Sequence, residues 1–347
     1  MARRCRITLD VRAKFSVSAI GGPVKTIKKA VQSFPRVPCA LLPTPVHKLD
    51  RLSSELGISL HVKRDDMTGL AFGGNKARKL EYLLGEARAR DAKVLIAVGS
   101  CQSNFCRMVA ALGKIHDFEV HLVLGGAKPT FISGNLLVDR MVGATCHFVE
   151  SHDWNDWLQE SEKLTNWCIQ KGKSVYAMPV GGSTPLGCMG YVQALGEIAD
   201  DEKRLKTKFD RIYLASGSGG TQAGLIVAQA IAQWPGSIVG ISVAQDGGAQ
   251  RSVVSELVGE TAGLLGVHLL DEEIIVDGDY LGEGYGIPSV EGDKAVELFA
   301  NKESVFLDSV YTGKAAAAVI GHVKSGEIKA GEKILFLHTG GSVSLFA

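Results

Sequence analysis

The chain has 347 residues, 46% of them hydrophobic and 22% charged, with 38 Lys and Arg against 37 Asp and Glu. That is ordinary for a soluble globular protein, and the length allows one large α/β domain or two moderate ones. A net charge near +1 gives no overall electrostatic footprint for nucleic acid or an anionic membrane, and no apolar run reaches the roughly 18 residues of a membrane-spanning helix.

Residues 1–38 carry nine basic side chains against one acid, Asp10. Such a segment reads as a disordered arm, as a sheet edge strand (ITLDV alternates) or as an organelle-targeting peptide. Asp10 and the lack of a serine-rich run argue against targeting, and the missing apolar h-region argues against secretion. The cysteines at 5, 39, 101, 106, 146, 168 and 188 form no CxxC pair and are odd in number. They predict reduced thiols in a cytosol-like compartment, so a cytoplasmic location is expected, with organellar targeting by 1–38 as the alternative. The spacings Cys101/Cys106 and His147/His152 match no familiar zinc pattern, and no metal is expected.

From residue 39 onward strands and helices alternate. Strand-like runs occupy 58–64, 93–98, 118–124, 144–149, 174–178, 210–215, 237–243 and 333–338. Amphipathic helical stretches lie near 76–90, 103–115, 153–171, 190–205, 221–234, 249–263, 292–301 and 313–324. This alternation predicts open, mostly parallel sheets with helices on both faces. Glycine-rich turns near 181–190 and 216–220 are the expected crossing points between two lobes.

The stretch 70–81 reads Leu-Ala-Phe-Gly-Gly-Asn-Lys-Ala-Arg-Lys-Leu-Glu. Two glycines free the backbone, Asn75 is placed to cap a helix, and Lys76 falls in that helix's first turn. A cation is disfavoured at a helix N-terminus, so Lys76 either reaches solvent or is held there for a purpose. Residues 99–104, Gly-Ser-Cys-Gln-Ser-Asn, sit between a strand and a helix, where polar side chains of an open α/β sheet face the ligand crevice. For Ser103 alone, a helix N-cap is the competing reading.

Residues 215–224, Ala-Ser-Gly-Ser-Gly-Gly-Thr-Gln-Ala-Gly, follow a strand and open a helix. Glycines there let backbone N–H groups converge on an anion, most often phosphate; a plain tight turn is the alternative. A dinucleotide fingerprint starting at Gly217 needs a third glycine at 222, where Gln222 stands, and no Gly-Lys-Ser/Thr of a P-loop follows. A small cofactor with one phosphate group fits better than a nucleotide. Toward the C-terminus Tyr285, Tyr311 with Thr312, and Thr339-Gly340-Gly341 complete the set of candidate polar residues.

In this order and spacing, these segments resemble the fold type II pyridoxal-phosphate enzymes, in the branch of D-cysteine desulfhydrase and 1-aminocyclopropane-1-carboxylate (ACC) deaminase. The resemblance spans roughly residues 35–347 and also includes Pro43-Thr44-Pro45 and Lys63-Arg64-Asp65-Asp66. It implies two lobes of open, mostly parallel twisted sheet, as in the tryptophan synthase β superfamily. The larger would comprise 39–79 and 190–347 and the smaller 80–189, with 1–38 a basic extension. Lys76 would bind pyridoxal 5′-phosphate covalently and serve as the base for the substrate α-proton. Ser218, Gly219, Gly220 and Thr221 would hold the phosphate. Asn104 would meet the ring 3′-oxygen, and Thr339 the ring nitrogen. Ser103 would meet the substrate carboxylate or act near its α-carbon, Tyr285 and Tyr311 would act on the substrate side of the ring, and Asn104, Phe105 and Thr312 would also contact the substrate.

Two positions discriminate within the branch. ACC deaminases carry Glu where Thr312 stands and Leu where Thr339 stands, whereas D-cysteine desulfhydrases carry Thr at both. The implied reaction is therefore elimination from D-cysteine or a close β-substituted amino acid. ACC deamination, another lyase or racemase activity (such as cysteate sulfo-lyase), and cofactor binding without turnover are the alternatives. Phe105 departs from the branch, which has His or Gln there, and would set an apolar ring beside the substrate carboxylate. A small amino acid is the expected partner, with no nucleic acid or membrane, and a homodimer is usual in the family.

Overall fold

The computed structural model describes residues 23–269 and 273–347. Its strands are β1 (Val46–Lys48), β2 (Ser59–Lys63), β3 (Val94–Ser100), β4 (Glu119–Gly125), β5 (Thr145–Val149), β6 (Val175–Met178), β7 (Arg211–Ser216), β8 (Ser237–Ser242), β9 (Ile275–Asp277) and β10 (Lys333–Leu337). The helices are α1 (Pro23–Val31), α2 (Asp50–Leu56), α3 (Lys76–Ala89), α4 (Asn104–Ile115), α5 (Gly134–Met141), α6 (Trp154–Gln170), α7 (Pro185–Leu205), α8 (Gly220–Ala232), α9 (Gly247–Leu265), α10 (Val290–Glu303) and α11 (Thr312–Ser325).

Two sheets result. One runs β1-β2-β10-β7-β8-β9 and the other β5-β4-β3-β6. All neighbouring pairs are parallel except β1–β2. β3 is buried along nearly its whole length, with Val94, Leu95, Ile96, Ala97 and Val98 at 1% exposure or less. An unbroken apolar run of this kind is what a parallel strand covered by helices on both faces requires. The α/β architecture expected from the alternation is the one found.

Several elements were not visible in the pattern. β1 and β9 have three residues each, too few to show an alternation, and α2 and α5 are seven and eight residues long. The edge strand expected in ITLDV lies outside the described residues. Residues 23–31 of the basic segment form α1, whose Ile27 is fully buried in the same apolar cluster as α7 and α8. That part is packed into the fold rather than extended from it. The glycine-rich turn expected at 181–190 ends sooner, because Thr184 caps α7 (its side chain accepts from the Gly187 N–H) and Pro185 occupies the first turn. The lobe limits expected at 80 and 190 fall inside α3 and α7.

A buried ionic network fixes the start of α3. The Arg78 guanidinium donates to both oxygens of Asp65 (2.8 Å each) and to both oxygens of Glu197 on α7 (2.9 Å each). Asp65 also accepts from Thr44 Oγ1 (2.7 Å) and Tyr191 Oη (2.5 Å). Lys63, the last residue of β2, donates to Asp201 of α7 (2.8 Å) and to the Thr44 carbonyl (2.9 Å). Arg78 and Asp65 are at most 1% exposed, so every polar atom needs a partner, and nearly every one has it. Close backbone approach helps: a Cβ on Gly190 of α7 would sit 2.4 Å from the Arg78 carbonyl oxygen.

Burial pulls the Asp65 pKa up. The Arg78 charge and hydrogen bonds, with Lys63 and Tyr191, outweigh it and leave the carboxyl below its usual value. Arg78→Met should therefore lower stability by about 3–5 kcal/mol in urea unfolding at neutral pH, because it strands a buried carboxylate. The Asp65 contribution is complete above its unfolded pKa of about 4 and is lost as pH falls through the depressed folded value. Wild-type stability should fall more steeply than that of Arg78→Met below about pH 4.

Candidate active site

The C-terminal ends of β3, β7 and β10 face one cleft of about 730 Å³ including its mouth. Crevices at this end of parallel strands are where open α/β sheets bind ligands. Of the residues singled out from sequence, Lys76, Ser103, Asn104, Phe105, Ser218, Gly219, Thr221, Tyr285, Tyr311 and Thr339 line it. Gly220 and Thr312 do not.

Lys76 is placed by its backbone. Gly73 has φ +65°, and a Cβ there would lie 2.1 Å from the Asp66 carbonyl oxygen, so only glycine closes this turn. Thr68 holds both ends of Gly74, donating to its carbonyl (2.9 Å) and accepting from its N–H (2.8 Å). The Asn75 N–H donates to the Thr339 carbonyl (2.9 Å). Asn75 occupies the cap position of α3, but with helical backbone angles and no capping hydrogen bond, contrary to expectation. Its amide bridges instead: Nδ2 donates to Thr221 Oγ1 (3.0 Å), while Oδ1 accepts from Lys76 Nζ (3.2 Å). Burial, reinforced by the positive Lys79, holds the Lys76 pKa well below the usual lysine value. The amine at the unfavourable end of α3 is therefore inside the cleft, and its neutral form is favoured.

The cradle lies between β7 and α8. Gly219 adopts φ +79° and turns the chain into α8. The Gly220 N–H already donates to the Ser218 carbonyl (3.0 Å) and Ser183 Oγ (3.3 Å), which explains its absence from the cleft wall. Beneath the turn, buried Lys79 donates to Ser183 Oγ (2.9 Å) and the Gly181 carbonyl (3.2 Å), and Ser183 Oγ donates to Ser218 Oγ (2.8 Å). A Cβ on Gly220 would stand 2.7 Å from Lys79 Nζ, so the ammonium sits against the cradle backbone. Burial lowers its pKa to about 8. A helix N-terminus backed by a buried cation makes an anion site. Lys79 belongs to a stretch conspicuous in the sequence, but nothing there shows that its side chain passes under a turn 140 residues away.

On the opposite wall, Ser103 caps α4, its hydroxyl accepting from the Cys106 N–H (3.2 Å), and the residue also lines the cleft. The cap reading and the ligand-facing reading both hold. Asn104 Oδ1 accepts from Asn135 Nδ2 of α5 (3.1 Å), which turns the Asn104 NH₂ toward the cleft. Asn135 is itself fixed by Gln102, whose carbonyl accepts from its amide (2.8 Å) and whose side chain accepts from its N–H (2.8 Å). The Phe105 ring does not stand free in the cleft as expected. It is 1% exposed and belongs to the apolar core of the smaller sheet, and a Cβ on Gly182 would touch it at 2.7 Å.

Tyr285 and Tyr311 share a hydroxyl–hydroxyl bond of 2.7 Å. Burial raises both pKa values, that of Tyr311 well above the usual phenol, so both stay protonated at neutral pH. The Tyr285 loop is held by buried Lys314, which donates to the carbonyls of Leu281 (2.7 Å) and Gly284 (3.0 Å). Trp154, at the start of α6, meets the Tyr285 ring edge-on at 5.7 Å and lines the cleft; sequence reading missed it. Thr312, expected to contact substrate, is fully buried and donates its hydroxyl to Asp308 (2.6 Å) while accepting from the Asp308 N–H (2.9 Å). It secures the turn before α11 instead. Thr339 also lines the cleft, its hydroxyl without a hydrogen-bond partner among the described residues.

A family model described as "Pyridoxal-phosphate dependent enzyme" matches residues 39–340. A protein of Pyrococcus furiosus named "Putative 1-aminocyclopropane-1-carboxylate deaminase" is 40% identical, over 92% of this chain and 96% of its own. The D-cysteine desulfhydrase of Serratia proteamaculans is 36% identical over 92% of this chain and 98% of its own. A crystal structure of an ACC deaminase homologue superposes with a TM-score of 0.86 at 37% identity, covering 92% of this chain and 96% of that one.

Because Lys79 is cationic only below about pH 8, the affinity of the apo protein for inorganic phosphate should fall as pH rises through that value. Lys79→Met should weaken phosphate binding by about tenfold or more and flatten the decline between about pH 7.5 and 9.5, as read by calorimetric titration.

Proposed function

The chain belongs to the pyridoxal-phosphate dependent enzyme family, as a lyase, and from that premise we propose that it eliminates sulfide from D-cysteine or a close β-substituted amino acid, yielding pyruvate and ammonia. The residues present fit the cofactor. The turn Ser218–Thr221 with Lys79 behind it would hold the phosphate, and the low-pKa amine of Lys76 would bind the aldehyde. The amide of Asn104 would meet the ring hydroxyl oxygen, and the Thr339 hydroxyl the ring nitrogen. When bound, pyridoxal phosphate supplies a reactive carbonyl and a conjugated ring that accepts the electrons left at the substrate α-carbon.

The protein's own groups divide the remaining work. The Ser103 hydroxyl and the first-turn N–H groups of α4 receive the substrate carboxylate, an anion at a helix N-terminus. The neutral amine of Lys76, which would hold the cofactor aldehyde, is also the base placed to take the α-proton. The paired phenols of Tyr285 and Tyr311, kept protonated by burial, hold a proton for the departing sulfur. Trp154 closes the side of the cleft next to Tyr285 and limits the substrate to a small side chain.

One observation carries this choice of reaction: the described residues that line the cleft include no carboxylate and no imidazole, so Lys76 is the one strong base among them. Removing one α-proton needs one base. ACC has no hydrogen on its α-carbon, and the position where ACC deaminases carry Glu holds Thr312, tied to Asp308. ACC deamination remains the second reading, favoured by the name of the Pyrococcus furiosus relative. We also propose a homodimer: Leu41 (69% exposed), Leu70 (47%) and Phe72 (70%) crowd the loop that leads to Lys76.

Purified protein should be yellow, and borohydride should bleach it while labelling Lys76. Lys76→Ala should lose the lysine-bound band and reduce turnover by at least about 10³-fold. With D-cysteine, L-cysteine, cysteate and ACC supplied separately, sulfide and pyruvate should form from D-cysteine; 2-oxobutyrate from ACC would overturn the assignment. Light scattering in solution should give twice the mass of the chain.

A further inference from the structure

Among the described residues, five of the eight buried side-chain polar atoms without a protein partner belong to three residues at one helix–helix contact: Nε and Nη1 of Arg107, both oxygens of Asp139, and Oδ1 of Asn135. We propose that Arg107 and Asp139 form a water-bridged buried pair through which α5 positions the loop that carries Lys76.

The placement follows from helical spacing. Asn104 and Arg107 are three residues apart on α4, and Asn135 and Asp139 four apart on α5, so each pair shares a face. The two faces meet, because Asn135 donates to Asn104 (3.1 Å). One turn further along, Arg107 and Asp139 act on each other electrostatically, each opposing the effect of burial on its neighbour. Both are at most 1% exposed. Yet no nitrogen of Arg107 lies within 4.0 Å of an Asp139 oxygen, the limit for a direct ion pair. Two facing groups with four unsatisfied polar atoms, opposite in charge and too far apart to touch, are the setting in which buried water makes the connection.

The remaining nitrogen of Arg107 shows what the pair is for. Nη2 donates to the Gly73 carbonyl at 2.9 Å, and the guanidinium stands 3.7 Å from where a Gly74 Cβ would be. Gly73 and Gly74 are the flexible residues that set the position of Lys76. Helix α5 thus controls two parts of the site from one side: Asn135 orients the Asn104 amide, and Asp139, through water and Arg107, anchors the lysine loop. Asp139 touches neither substrate nor cofactor and is a positioning residue. The inference rests on Lys76 being the attachment point and is independent of which amino acid is the substrate.

Hydrogen exchange of the full-length protein, with and without pyridoxal phosphate, tests it in the peptide spanning 70–80. Three variants are compared: Arg107→Lys, Arg107→Met, and Arg107→Met combined with Asp139→Leu. The single Met variant should lower the melting temperature by leaving the buried Asp139 carboxyl without its cationic neighbour, and the double variant should recover much of that loss by leaving an apolar contact. In both, exchange in 70–80 should be about five- to tenfold faster, the loss of one net hydrogen bond, with the 211–216 strand unchanged. Arg107→Lys, the mildest change, should raise exchange in the same peptide to a smaller extent. Affinity for pyridoxal phosphate, read from the visible band, should fall in the same order. Wild-type exchange in the double variant would reduce the pair to a space-filling role and overturn the proposal, as would unchanged exchange in Arg107→Lys and Arg107→Met. Absence of turnover with every amino acid would count against the proposed reaction and leave this result standing.

Discussion

The Arg78–Asp65 ion pair is the contact on which the cleft depends. Asp65 follows β2, Arg78 stands two residues after Lys76 in α3, and both grip α7 through Glu197 and Tyr191. Three elements remote in sequence are thereby locked to one another beside Lys76. A buried ion pair is a weak source of net stability, since removing two charges from water cancels most of their attraction. Its value here is geometric. An apolar contact could slide by an ångström, whereas five hydrogen bonds to one guanidinium define where the first turn of α3 begins.

That rigidity makes the position of Lys76 tolerable. A helix N-terminus and a neighbouring ammonium both repel a cation, and the enclosing wall denies it water. Left alone, the residue would swing out or pull the loop apart. Held in place, it responds by releasing its proton more readily, which is the state needed to attack an aldehyde or take an α-proton. Lys79 divides the labour: it remains cationic near neutral pH and faces the phosphate cradle, so charge and nucleophilicity reside on two lysines three residues apart.

What the sequence made legible were backbone demands. The glycines at 73, 74, 217 and 219, the alternation of strands with helices, and the placing of hydroxyl and amide residues at strand ends all leave local marks. What it hid were buried polar partners drawn from distant elements. Asn135, Lys314 and Ser183 sit among unremarkable neighbours, and only the fold reveals that each holds a cleft residue or its loop in place. Asn75 was misread for the same reason: its residue type and position fit a cap, but its true partner, Thr221, is 146 residues away. Thr312 was named for the right turn and the wrong task, because a threonine beside a buried aspartate is taken by that aspartate.

This last point changes where specificity resides. Thr312 and the Phe105 ring are both packed into the interior, so under the proposed function neither would read the substrate with its side chain. The side chains left to do so are Ser103 and Thr339, which contribute hydroxyls, and Trp154, Tyr285 and Tyr311, which contribute shape and a protonated phenol pair. Under the proposed function, three aromatic rings and one amine base would select by size and by the need for a proton at the leaving group, with no second base among the described cleft residues. An exchange at position 312 would therefore act on the cleft only by freeing Asp308 and shifting Tyr311, whose N–H that carboxylate also holds at 2.8 Å. Residue 312 would thus reach the cleft through the tyrosine beside it.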